Sequence, residues 1–333
     1  MTQPTETNPT AKQITWQSVK EELNVSRTQA GAIDFDGYRK DKLRVIERHT
    51  KRPLLVYAVD FLNQQKVNAC KGDVSIDLSD LQGFREILKN IKSKKVDILL
   101  HSPGGSPDAA ESVVQVIRDN FKEVRFFIPL AAKSAATMIA LSGDEILMPA
   151  AAELGPIDPQ FSIPDGAGGR LLTPAQALID QFERAKMDIQ DDQRLALVWA
   201  PILQIYSPGL YQLCINAITR SKELVKEWLE NFMFKKTANK SQLAQNVVDY
   251  LGDHNNFKSH GKRVPLSKLQ ELKIVAKDIR KEDATLWNLV EEAWYAIEHT
   301  FGNTGAYKLF ENSKGVTLVK IVQTVIQPIS AGR

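Results

Sequence analysis

The chain has 333 residues, 43% hydrophobic and 25% charged, and its 43 Lys and Arg against 40 Asp and Glu leave a formal net charge of +3. This length and composition can bury a sizeable core as one large or two modest globular domains. The charges are mixed along the sequence, which argues against a nucleic-acid footprint or a basic membrane-targeting arm, and two cysteines, Cys70 and Cys214, make no disulfide framework, so a cytoplasmic location is expected.

Residues 1–13 are polar, lack the charged start and apolar core of a signal peptide, and are expected to form a disordered tail. Residues 14–52 form a charged helical arm with a turn at Asp34-Phe-Asp-Gly37, suited to packing or to an interface. From Leu54 the pattern alternates. An apolar β-rich run precedes a helical spacing of Leu81, Phe84, Ile87, Leu88 and Ile91, the strand Val96 to His101, a glycine turn and a helix over Asp108 to Asn120. The strand Val124 to Ile128, a small-residue helix after Ser134 and the strand Glu145 to Met148 continue the series. Alternation of this kind predicts an α/β domain with a mainly parallel sheet, whose ligands bind beyond the carboxyl ends of the strands.

Residues 150–170 are loop-like, with Thr173 and Pro174 as the start of a helix. The remainder reads as mostly helical: Ser221 to Phe234, Gln242 to Leu251, Leu266 to Leu272 and Glu282 to Thr300. The apolar stretch Leu195 to Ile218 is interrupted by Pro201, Pro208 and Gly209, so it predicts two short buried or interface helices and no membrane span. Four segments are expected: the tail to residue 13, the arm over 14–52, the main domain over 53–275 and a helical C-terminal extension over 276–333.

Two turns at the same sheet edge carry the chemistry. Ser134 follows a strand and opens a helix in a run of alanines, where a substrate can approach closely and the helix dipole favours a developing oxyanion. Gly104 and Gly105 follow the neighbouring strand. Glycines let a backbone N–H face a carbonyl oxygen, and the Ala135 amide supplies a second donor, so the two turns together can form an oxyanion hole. The segment lacks the Gly-Lys-Ser/Thr of a phosphate loop, and Ser134 is not in a Gly-x-Ser-x-Gly elbow.

His101-Ser-Pro-Gly-Gly-Ser-Pro-Asp-Ala-Ala110, Ala132-Lys-Ser-Ala-Ala-Thr-Met-Ile-Ala-Leu-Ser-Gly143 and Leu154-Gly-Pro-Ile-Asp-Pro-Gln160 resemble the serine dehydrogenase proteinase family, relatives of signal peptide peptidase A and the Clp peptidases. The resemblance covers roughly Leu54 to Ile274. It implies a Clp/crotonase-like fold, serine peptidase chemistry through an acyl-enzyme, and a ring-like or other homo-oligomer; the sequence shows no nucleotide-binding motif, so proteolysis is expected to be ATP-independent or driven by a partner. It assigns Ser134 as nucleophile, with Gly105 and Ala135 as oxyanion donors.

The general base is open. A serine hydroxyl needs a partner to take its proton, and no histidine lies where Clp peptidases carry one. Relatives of signal peptide peptidase A use a lysine about fifty residues after the serine; Lys186 stands 52 positions on, near an apolar helical arc, and desolvation there would make it a base. The competing reading is a lysine at the edge of that stripe with its head in water. His260, oriented by Asp158, is the second candidate, in a triad with base and acid positions exchanged. Lys133 adjoins the nucleophile but diverges from it. His101 reads as a strand-end structural residue, and His49, His254 and His299 carry no readable chemistry.

The rival functions are a crotonase-like acyl-thioester enzyme, which shares the two-amide hole but does not require Ser134, and an inactive peptide-binding scaffold. The sequence calls for no cofactor and no metal; the expected partners are a peptide or protein substrate and further copies of the chain, with peripheral membrane contact left open. Subunit contacts are expected at Val198 to Ile218 and in the N-terminal arm.

Overall fold

A computed structural model describes residues 14–165 and 168–322. The tail expected over 1–13 lies outside the described residues, as do positions 166–167 of the glycine-rich loop and 323–333 of the C-terminal segment.

Strands β1 (Leu54–Val59), β2 (Lys95–His101), β3 (Glu123–Phe127), β4 (Ala131–Ala132), β5 (Glu145–Met148), β6 (Glu153–Leu154), β7 (Gln160–Pro164), β8 (Arg170–Pro174), β9 (Val264–Pro265), β10 (Ala276–Asp278), β11 (Ala306–Asn312) and β12 (Thr317–Ile321) form three sheets. The main one runs β10-β5-β3-β2-β1-β11-β12. Its first five strands are parallel, and β11 and β12 are antiparallel additions. β1 is buried along its whole length, as expected where both faces of a parallel sheet are covered.

Alternation within each strand sends side chains to two cores. Leu55, Tyr57, Ile98 and Leu100 pack with the helices Pro107–Asn120 and Ala135–Leu141 on one face. Leu54, Val56, Leu99 and Phe127 pack with the helices Phe35–Thr50 and Ala284–Asn303 on the other. The alanine-rich helix after Ser134 is buried at every position, which is why it consists of small and apolar residues, with Thr137 the one hydroxyl.

The arm is packing material within the chain. Val19, Leu23 and Tyr38 close a small core against Ala296, and the buried Arg39 guanidinium bonds Glu311 at 3.0 Å and Thr300 at 2.7 Å. Asp34 caps the second arm helix through Gly37 N–H at 2.9 Å, so the expected turn is a helix start.

Three expectations need correction. The C-terminal extension is not solely helical, because β11 pairs with β1 and completes the sheet after the long helix. Residues 160–164 and 170–174 pair as two antiparallel strands, the first of them inside the stretch read as loop-like. Thr173 and Pro174 end the second strand, with Pro174 extended at ψ 137°, and the helix begins at Ala175. No helix among the described residues is long and apolar enough to cross a membrane.

Candidate active site

Because β2 and β3 are adjacent and parallel, their exit turns meet at the same edge. The β2 exit hydrogen-bonds the segment before Ser134: Ser102 N–H to Ala131 C=O at 3.2 Å, and Lys133 N–H to Ser102 C=O at 3.0 Å. Gly104 has φ +92°, and a Cβ there would come within 2.7 Å of Ser134 Cβ and 2.8 Å of the Ala135 nitrogen. The glycine is thus required by a positive φ and by direct contact with the serine turn. Ile76 flanks the other side, donating to Gly104 C=O at 2.7 Å and accepting from Ser106 N–H at 2.9 Å. Between those bonds the Gly105 N–H has no backbone partner among the described residues, and neither has that of Ala135.

Ser134 has φ 50° and ψ −122°, a backbone state that costs a non-glycine residue about 1–3 kcal/mol and persists only where surrounding bonds impose it. Those bonds are Lys133 N–H to Ser102 C=O, Ala136 N–H to Lys133 C=O at 2.8 Å and Met138 N–H to Ser134 C=O at 3.1 Å. The helix behind it has seven residues, so the individual amides of the turn matter more for an oxyanion than a helix dipole does.

Thr137 ties in the third motif. Its buried Oγ1 donates to Ala132 C=O at 2.7 Å and accepts from Gly155 N–H at 2.9 Å. Ile157 N–H then bonds Leu251 C=O at 2.9 Å, and Leu154 of β6 pairs with Val264 of β9. The chain from 251 to 264 is therefore held against residues 154–158. This brings two histidines to Asp158, which is 2% exposed: His260 Nδ1 lies 2.7 Å from Oδ1 and His254 Nδ1 lies 3.1 Å from Oδ2. An ionised carboxylate only accepts, so each imidazole donates from Nδ1, and His260 is left with Nε2 as its basic nitrogen.

Ser134, Gly104, Gly105, Ile157, Ser221 and His260 all line one cavity of about 550 Å³. Lys186 is not among its lining residues. It lies on the helix Ala175–Asp191 with 64% of its side chain exposed and Glu183 at 3.6 Å. The apolar arc beside it is real, since Leu178 and Ala185 are buried, but the ammonium projects to water from the stripe's edge. Lys133 pairs with Glu153 and donates to Leu154 C=O at 3.3 Å.

His101 is buried on the opposite face of the sheet between Phe61, with ring centroids 4.8 Å apart, and Trp294, at 4.5 Å. Burial pushes its imidazole down to about 3, so the ring is neutral. Two lining or supporting residues were not singled out in the sequence. His254 reaches Asp158 only through the fold, and the signal that could have found Ser221 is a polar residue on the apolar face of its helix.

The family model of ClpP-like SDH-type serine proteinases matches residues 71–284, which contain all three motifs. Two uncharacterized proteins of Methanocaldococcus jannaschii are similar in sequence. One is 34% identical over 121 residues, 35% of this chain and 39% of its own length; the other is 25% identical over 155 residues, 45% of this chain and 50% of its own. The matched segments thus span half or less of those relatives.

Among solved structures, the 1510-N membrane-bound stomatin-specific protease is similar in a serine-to-alanine mutant, at 16% identity and TM-score 0.36 over 62% of this chain and 78% of that one. A lysine-to-alanine mutant of the same protease in complex with a substrate peptide gives 18% identity and TM-score 0.35 over 61% and 70%. The chain belongs to the family of ClpP-like SDH-type serine proteinases, and its mainly parallel α/β architecture is the Clp/crotonase-like fold.

Proposed function

We propose that the protein is an ATP-independent serine peptidase in which Ser134 attacks the scissile carbonyl, His260 takes the serine proton, and Asp158 orients His260. The Gly105 and Ala135 amides receive the oxyanion. The observation that carries this reading is that His260, bonded to a buried Asp158, lines the same cavity as Ser134 and the glycine turn.

The order of events follows from charge. As Ser134 Oγ bonds to the carbonyl carbon, its proton passes to His260 Nε2, and Asp158 stabilises the resulting imidazolium. Negative charge on the carbonyl oxygen is met by two N–H groups held by backbone bonds before the reaction begins, so they need no reorganisation. His260 then returns the proton to the leaving amine, and water repeats the sequence to release the acyl group.

The Lys186 dyad has less support, because that ammonium is exposed and paired with Glu183. A crotonase-like acyl-thioester reaction would use the two amides but would leave both the strained serine and the His260–Asp158 pair without a role. We further propose a homo-oligomer, supported by Leu197, Val198, Ile202 and Ile205, exposed together on and beside the helix Ala196–Leu203; a monomeric mass by light scattering would overturn it. For the chemistry, incubation with a peptide library followed by intact-mass analysis should show an acyl adduct on Ser134 and new peptide termini. Cleavage that persists in Ser134→Ala would overturn the mechanism.

A further inference from the structure

The helix Leu210–Trp228 turns Leu210, Cys214, Leu224, Val225 and Trp228 inward. Position 221 falls on the same face, where this spacing calls for an apolar residue, and the chain has Ser221. It is 1% exposed, lines the Ser134 cavity, and its Oγ has no hydrogen-bond partner among the described residues. A serine inside a helix commonly returns its hydrogen bond to the carbonyl four residues back; this one does not bond to Ala217. Burying a hydroxyl unpaired is unfavourable in a way that an alanine at the same place would not be.

The rest of the lining narrows what could pair with it. Ile76, Met138, Ile157 and Leu172 make apolar walls, Ser75, Ser106 and Gln160 add uncharged polar groups, and His260 is the one ionisable side chain among the lining residues. A substrate carboxylate or ammonium would enter this space without a counter-charge, at a large desolvation cost. A hydroxyl both donates and accepts, so it can pair with another hydroxyl or with either end of an amide.

We propose that Ser221 is a specificity-determining residue, and that the cavity selects a peptide substrate with an uncharged hydrogen-bonding side chain, a hydroxyl or carboxamide on an apolar stem, next to the scissile bond. The inference rests on the acyl-transfer reading of Ser134. Its physical basis is asymmetric: a site with a buried polar group rejects the isostere that leaves that group unpaired more strongly than an apolar site rejects an added hydroxyl.

The test uses the full chain in two parts. A fluorophosphonate probe first reports whether Ser134 is reactive. Peptides differing only as Thr against Val, or Gln against Glu, at each residue flanking the cleaved bond then give ratios of kcat/KM. At one such position the wild type should favour Thr over Val and Gln over Glu by about tenfold or more. Ser221→Ala should bring the Thr-to-Val ratio close to one, while Ser221→Cys, similar in size but a weak hydrogen-bonding partner, should give an intermediate ratio. A labelled Ser134 with Thr-to-Val ratios near one at every position in the wild type, or with an unchanged preference in Ser221→Ala, overturns the specificity assignment alone. An unlabelled Ser134 with no cleavage removes the acyl-transfer reading and this proposal with it.

Discussion

The turn pair around Ser134 and the outlying segment over 160–218 are built on opposite plans. At Ser134, backbone bonds, a glycine with φ +92° and a fully buried helix define the geometry. In the outer segment, a hairpin and three helices enclose a small core around Ala175, Leu178, Leu210 and Cys214 and leave Leu171, Leu172, Leu197 and Val198 exposed. The difference matches the two tasks of the peptidase proposed above. Bond-making needs donors fixed to within tenths of an ångström, which a packed sheet edge supplies; recognition and association need apolar side chains that are still free to be covered.

Substitutions should break the two plans unequally. The largest effect is expected for Ser134→Ala, which should lower peptide hydrolysis by about 10⁴-fold or more with little change in melting temperature. Gly104→Ala should also abolish activity but through the fold, because its Cβ would press on Ser134 and Ala135; a loss of about 3 kcal/mol in urea unfolding is expected.

His254 sharpens the comparison, since it positions Asp158 rather than touching substrate. His254→Leu leaves one buried carboxylate oxygen without its donor and should lower kcat by about tenfold or more at nearly unchanged KM. His254→Gln can still donate to that oxygen and should recover most of the loss.

Smaller effects are expected away from the site. Burial and the nearby Asp60 carboxylate raise Glu298 from 4.5 to about 7. Its folded pKa lies above its unfolded value, so the folded state holds the extra proton, and stability falls as pH rises from 4.5 through about 7. Glu298→Gln should therefore gain melting temperature relative to the wild type between pH 5 and 8, by about 2–4 °C. His101 has the opposite sign in the proton it excludes. With a folded pKa of about 3 against 6.5, its contribution is complete above pH 6.5 and is lost as pH falls toward 3. In the outer segment, if the proposed homo-oligomer forms there, Leu197→Glu with Val198→Glu should leave the chain folded and lower the mass seen by light scattering.

The sequence carried the parallel sheet and the Ser134 and glycine turns because their signals are local: apolar strand runs, helical spacing and adjacent glycines after a strand. It could not carry β11, because pairing with β1 joins residues about 250 positions apart, and a strand ending in Lys-Leu-Phe-Glu-Asn shows no alternation when the buried Lys308 is matched by Asp80. The antiparallel pair of β7 and β8 was hidden by the prolines and glycines around it. For the base, spacing pointed to Lys186 and the resemblance left His260 open beside it; the pairing of β6 with β9 brings His260 and His254 to Asp158.

The activation of Ser134 is tested most directly by the second-order rate of fluorophosphonate labelling in the full chain, measured for wild type, His260→Ala, Asp158→Asn and Lys186→Ala. With His260 as the base, the rate should be lowered by about 10³-fold or more in His260→Ala, fall strongly in Asp158→Asn, and stay at the wild-type value in Lys186→Ala. Undiminished labelling in His260→Ala, with loss in Lys186→Ala, would contradict that assignment.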